Sequence, residues 1–166
     1  MRLDHGELRA LLPHRYPMLL LDRVDSVEPG ASLEAVKAVT GCEPCYRGIA
    51  EGQTPDRYAY PASLLIESFG QGAAVLWLLS RGPGTGPLSP GPGTAGLPMF
   101  TAARDCVLLR PVYPGDVIRH RVRLEQVVHG AAFASGSSWV GTDQVAEFGS
   151  MMAVVRPADA ITGARR

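Results

Sequence analysis

The sequence predicts an α+β domain in which one curled antiparallel sheet wraps a single long central helix. Three observations carry that expectation. One long apolar stretch, Pro61 to Ser80, has helical character; runs alternating with a two-residue period surround it; and Gly- and Pro-bearing turns mark most of the junctions. At 166 residues, 46% of them hydrophobic, the chain can bury one core and is short for two, so a single domain over residues 1–166 is expected.

The opening, MRLDHGELRALLPHRYP, places Asp4, His5 and Glu7 where a secretory signal needs apolar residues, so a cytoplasmic location is expected. Met18 to Glu28 and Leu33 to Thr40 then read as two strands about the turn Pro29-Gly30. Pro61 suits a first helical position, where its missing N–H costs nothing. The helix that follows is apolar around nearly its whole circumference, the pattern of a helix buried on most sides. One polar stripe crosses it: Ser63, Glu67 and Gln71 recur every four residues and share a face. A carboxylate there needs a reason, since burying it unpaired is costly. Burial predicts a raised pKa for Glu67, which suits a proton donor. The 16-residue run from Leu64 to Leu79 is shorter than a bilayer span and contains Glu67, so no membrane is expected.

Residues 80 to 98 are rich in Gly and Pro and read as a surface loop, a linker in preference to a lid. Ala103 to Val112 reads as the next strand and ends at Tyr113-Pro114-Gly115. In the following run Ile118, His120, Val122 and Leu124 take one face, and Arg119, Arg121, Arg123 and Glu125 the other. Ala131 to Val140 and Gln144 to Val155 complete the set about Gly141-Thr142-Asp143. A single sheet buries such a helix by curling around it.

Sixteen basic residues balance sixteen acidic ones, which argues against nucleic acid as a partner. Cys42 and Cys45 have C-x2-C spacing without a second pair, so buried thiols are favoured over a zinc site and no metal is expected. His120 falls on the inward face of its strand and reads as a core residue; His14 reads as a packing residue.

The chain also resembles a known family. LPHRYPMLLLDRV (Leu12 to Val24), Glu28-Pro29-Gly30, AVKAVT (Ala35 to Thr40), Glu43-Pro44, YPASLLIESFGQ (Tyr60 to Gln71), RPVYPGD (Arg110 to Asp116) and AVVRP (Ala153 to Pro157) are similar, in order, to segments of the FabZ-type β-hydroxyacyl-acyl-carrier-protein dehydratases. The resemblance implies a hot-dog fold, a dimer with sites across its interface, and syn elimination of water from a 3-hydroxyacyl thioester carried on the phosphopantetheine of an acyl carrier protein, with no further cofactor. It implies Glu67 as the helix carboxylate that assists the hydroxyl, and Gln71 as its downstream glutamine. Ala62 falls on the first-turn glycine whose region polarises the thioester carbonyl.

The family's catalytic histidine, in G-H-F-P-G before the helix, has no counterpart. Counting back from the helix puts Gln53 there; counting forward from Glu43-Pro44 puts Ile49 there, and no histidine lies between His14 and His120. Glutamine has no usable proton affinity near neutral pH. Gln53, Asp56, Tyr58 and Tyr60 lie in the altered loop, with Gln53 and Tyr60 candidates for substrate contact. The row Arg119, Arg121, Arg123 is a candidate carrier-protein surface, against the alternative of a solvated strand face. Three functional readings follow: a dehydratase subunit completed by a histidine-bearing partner subunit, which the resemblance favours; a hot-dog thioesterase using Glu67; and a non-catalytic acyl-thioester-binding partner.

Overall fold

The computed structural model describes residues 1–81, 96–128 and 130–157, so most of the Gly/Pro-rich segment expected as a loop lies outside the described residues. Helix α1 (His5–Leu11) is followed by strands β1 (Arg23–Glu28) and β2 (Ser32–Ala38), helix α2 (Ala62–Ser80), and strands β3 (Gly96–Leu108), β4 (Val117–Val128), β5 (Ala131–Val140) and β6 (Asp143–Pro157). The strands form one antiparallel sheet in the order β1-β2-β4-β5-β6-β3. Its concave face holds α2, which packs against β2, β4, β5 and β3. This is the architecture the sequence predicts.

Three elements depart from expectation. Helix α1 was not anticipated, although Asp4 and Glu7 form a capping box: Asp4 Oδ1 accepts from the Glu7 N–H at 2.9 Å, and Glu7 Oε2 from the Asp4 N–H at 2.8 Å. Strand β1 begins at Arg23 rather than Met18, because the backbone of residues 18–20 bonds to the Gln71 side chain instead of to a strand. Strand β3 spans 96–108 rather than 103–112, its pairing with β6 running from Gly96–Pro157 to Leu108–Ala146.

The two long sides of α2 do different work. Phe69 is fully buried and stacks on Phe148 of β6, ring centroids 4.0 Å apart. Gly72 lets the helix approach the sheet: a Cβ there would sit 3.3 Å from Val122 of β4 and 3.5 Å from Leu33 of β2. Helix α2 is long and apolar enough to cross a bilayer, yet it is the core helix of this sheet and carries Glu67. The cysteines correct the expectation of buried thiols: Cys42, on a turn, is exposed, and Cys45, in the 3-10 helix Pro44–Tyr46, and Cys106, on the edge strand β3, are half-buried.

His120 is the core residue its alternation predicts, and its tautomer follows from its partners. Ser68 Oγ donates to the Leu65 carbonyl at 3.0 Å, so it accepts from His120 Nε2 at 2.9 Å. The bare Nδ1 then accepts from Ser138 Oγ at 2.7 Å. Complete burial pushes the imidazole pKa down to about 3. The folded state therefore resists a proton that the unfolded chain binds below about pH 6.5. Stability is full above that pH and falls on acidification, by about 1.4 kcal/mol per pH unit for this one group. Urea denaturation between pH 6 and pH 4 is expected to approach that slope, and a folded His120→Asn variant to lose most of it.

Candidate functional site

Glu67 sits on the side of α2 that the sheet does not grip. Residues 67, 70, 71, 74 and 77 recur at helical spacing along one stripe, and together they line a cavity of about 260 Å³. Gly70, Ala73 and Ala74 leave the space that larger side chains would fill. Met99 and Phe100 of β3 and Met152 of β6 close it from the sheet. The lining is apolar except near one end, where Glu67, Gln71 and His14 come together.

Gln71 organises that end. It is 1% exposed, and its amide makes three hydrogen bonds. Oε1 accepts from the Leu20 N–H at 2.9 Å, while Nε2 donates to the Met18 carbonyl at 2.7 Å and to Glu67 Oε1 at 2.9 Å. The helix is thereby tied to the segment between α1 and β1, and that segment brings His14 onto Glu67. His14 Nε2 lies 3.3 Å from the same Oε1. Both side chains are 28% exposed.

This corrects two expectations. His14 is not a packing residue; it is the charged-capable neighbour of Glu67. The Glu67 carboxyl is not raised but held below its ordinary value, because hydrogen bonding from His14 outweighs the opposing effect of burial and Gln71 adds to it. Glu67 is therefore an anion at neutral pH. Ser63, the third member of the polar stripe, is exposed and stands apart from this group. Sequence reasoning missed His14 because 53 positions separate it from Glu67. The signal was present in the PHRYP segment.

The other candidates lie elsewhere. Ala62 opens α2, and a second depression of about 480 Å³ forms around Tyr60, Ala62, Leu65, Leu108 and Arg110. Neither Glu67 nor His14 borders it, and neither Tyr60 nor Ala62 borders the Glu67 cavity. Tyr60 is 5% exposed; its N–H donates to the Val112 carbonyl at 2.7 Å, and its hydroxyl is buried without a protein partner. Gln53 and Asp56 are exposed, and Ile49 and Tyr58 are half-buried; none of the four borders either cavity.

The arginine row is partly occupied. Arg119 Nη1 meets Asp25 Oδ2 at 2.8 Å, and Asp25, which also pairs with Arg23, is held below the usual carboxylate range chiefly by Arg23. Arg121 Nε lies 3.3 Å from Glu34 Oε1, with its guanidinium over the Trp139 ring at 5.1 Å. Arg123 is exposed. Among the described residues no cluster of three or more potential metal ligands occurs.

Comparison with known proteins gives a consistent result. The model of the FabA-like domain family matches residues 12–149. The 3-hydroxyacyl-[acyl-carrier-protein] dehydratase FabZ of Symbiobacterium thermophilum is 35% identical over 138 residues, covering 82% of this chain and 87% of that protein. FabZ of Roseiflexus sp. is 35% identical over 149 residues, 89% and 94% of the two chains. Among solved structures, the dehydratase heterocomplex ApeI:P from Xenorhabdus doucetiae superposes with a TM-score of 0.70 at 16% identity, covering 94% of this chain and 95% of that one. A hot-dog-like protein from Thermanaerovibrio acidaminovorans superposes at 0.57 with 14% identity over 82% and 89% of the chains, so the fold is a hot-dog.

Gln71 holds this site together, and its replacement is expected to show it. Gln71→Leu keeps the size but orphans the buried Leu20 N–H and the Met18 carbonyl, which should lower stability by about 2–3 kcal/mol. Chemical denaturation of the two proteins measures it.

Proposed function

The chain belongs to the FabA-like family, and on that premise we propose that it is a subunit of a 3-hydroxyacyl-acyl-carrier-protein dehydratase, working in fatty-acid or polyketide-type biosynthesis in the cytoplasm, and that a histidine-bearing partner subunit completes its site. The observation that carries this reading is the separation of the two half-sites. Glu67 lines one cavity of the chain, and the N-terminus of α2 opens into another. An acyl thioester that needs a carboxylate at its hydroxyl and backbone N–H groups at its carbonyl takes them from two chains. Exposed apolar side chains on the edge strand β3, Met99, Phe100, Val107 and Leu108, offer such a partner a surface.

In this reading the partner's histidine removes the proton from C2, the C2–C3 double bond forms, and the C3–O bond breaks. The departing hydroxyl takes its proton from the minority acid form of Glu67 and leaves as water, and the proton that the histidine has taken from C2 returns through solvent to restore that acid form. In the reverse direction ionised Glu67 takes a proton from water as its oxygen adds to C3, and the histidinium returns a proton to C2. The apolar cavity beyond Glu67 suits an acyl chain, and the loop containing Gln53 contributes no base. Arg123, with Arg119 and Arg121 beside it, faces solvent as a docking row for an acidic carrier protein and its phosphopantetheine.

One observation favours a second reading. An ionised carboxylate in an apolar cavity is already the form that activates water, so a thioesterase using Glu67 as general base fits the same geometry. In that case water attacks the thioester carbonyl and the thiol departs.

The chain is tested alone and mixed with a FabZ-type subunit that keeps its histidine, assaying water elimination and thioester hydrolysis on a 3-hydroxyacyl carrier protein. Alone it is expected to eliminate water only at trace level, and the mixed complex to turn over. Glu67→Gln in that complex should lower elimination by about 10²-fold or more, while replacing the partner's own helix carboxylate does far less. Robust elimination by the isolated chain overturns the two-subunit reading, and hydrolysis without elimination favours the thioesterase. A complex indifferent to Glu67→Gln but dependent on the partner's carboxylate makes this chain a non-catalytic partner.

A further inference from the structure

We propose that His14 is the positioning residue of this site: with Gln71 it clamps Oε1 of Glu67 and leaves Oε2 as the oxygen that meets the substrate. The inference rests on the reading of Glu67 as the working carboxylate and deepens it.

The geometry is one-sided. Both neighbours of the carboxylate address the same oxygen, Gln71 Nε2 at 2.9 Å and His14 Nε2 at 3.3 Å. Among the described residues no donor is assigned to Oε2. The imidazole's other nitrogen, Nδ1, is buried and takes no protein partner, so the ring's polar contact is directed to Glu67. Two donors on one oxygen fix the carboxylate plane as well as its position, whereas a single donor leaves it free to swing.

The electrostatics follow from the same arrangement. His14 and Glu67 are the two titratable side chains in the cavity lining; the strands across from them present Met99, Phe100 and Met152. Arg15, next along the segment, turns its guanidinium to the Leu12 and His14 carbonyls, at 2.8 and 2.7 Å. Gln71 is neutral. His14 is therefore the group that decides how firmly Glu67 keeps its charge, and His14 hydrogen bonding is the largest influence on that carboxyl. A residue in the N-terminal segment thus sets the pH range over which the helix carboxylate accepts or supplies a proton.

The full chain, with 13C-labelled glutamate carboxyls and 15N-labelled histidine, allows the coupling to be read by NMR without any assay of activity. In the wild-type chain the His14 ring nitrogens are expected to register an inflection at the midpoint of the Glu67 carboxyl. In His14→Leu the Glu67 midpoint should rise by about one pH unit, a tenfold change in its ionisation constant, and His14→Gln, which keeps a donor, should recover part of that rise. In an active complex the acid limb of the hydration pH profile should move up with the midpoint in His14→Leu, with kcat affected more than KM. A merely structural role would lower melting temperature and leave the midpoint in place. The absence of that inflection in the wild-type chain overturns the proposal even where the variants do not fold, as does an unmoved midpoint in a folded His14→Leu chain. An inactive complex whose carboxyl midpoint still follows His14 refutes the dehydratase reading and leaves this inference standing.

Discussion

A nineteen-residue apolar helix has to be taken out of water, and the chain has one sheet with which to do it. Wrapping solves the problem and imposes an asymmetry. The Phe69 side of α2 is gripped by strands β2, β4 and β6, close enough at Gly72 that a methyl group would touch Val122. The other side, where Gly70, Ala73 and Ala74 stand, faces Met99 and Phe100 of β3 and Met152 of β6 across the cavity. The cavity is the consequence of pressing a helix with one small-residue face against a curved sheet. It exists because those residues are small; packing elsewhere is tight enough to hold it open.

Burying this helix also buries polar groups, and the chain satisfies them in two distinct ways. Around His120, Ser68 and Ser138 complete a neutral network, and the imidazole stays uncharged. Around Glu67 the donors are supplied to keep a charge, not to avoid one. Gln71 links the two sides of that arrangement, since the same amide that supports the carboxylate anchors the backbone of residues 18–20. The site's geometry and the path of the N-terminal segment are therefore one structural fact.

Much of this was legible in the sequence because it is local. Strand β5 falls on its expected bounds and α2 within one residue, since alternation, helical period and flanking turns are short-range signals. The stripe of Glu67 and Gln71 was legible for the same reason. The sign of the Glu67 shift was not. Composition announces burial, which raises a carboxyl, whereas the deciding neighbour, His14, arrives through tertiary structure. The start of β1 was misread on similar grounds, because a side chain on a distant helix took the hydrogen bonds a strand would have used. Helix α1 was within reach: its D-x-x-E capping signal stands in the first seven residues.

The most direct test of the account is a structure of the two-subunit complex with a non-eliminating 3-hydroxyacyl pantetheine analogue. The C3 oxygen is expected within hydrogen-bond reach of Glu67 Oε2, with Oε1 still held by Gln71 and His14. The acyl chain should run along α2 past Gly70 and Ala74 toward Trp77, with the thioester carbonyl at the partner's helix N-terminus. An analogue whose hydroxyl lies away from Glu67, or whose chain occupies the depression at Tyr60 and Leu108 of this subunit, would contradict it.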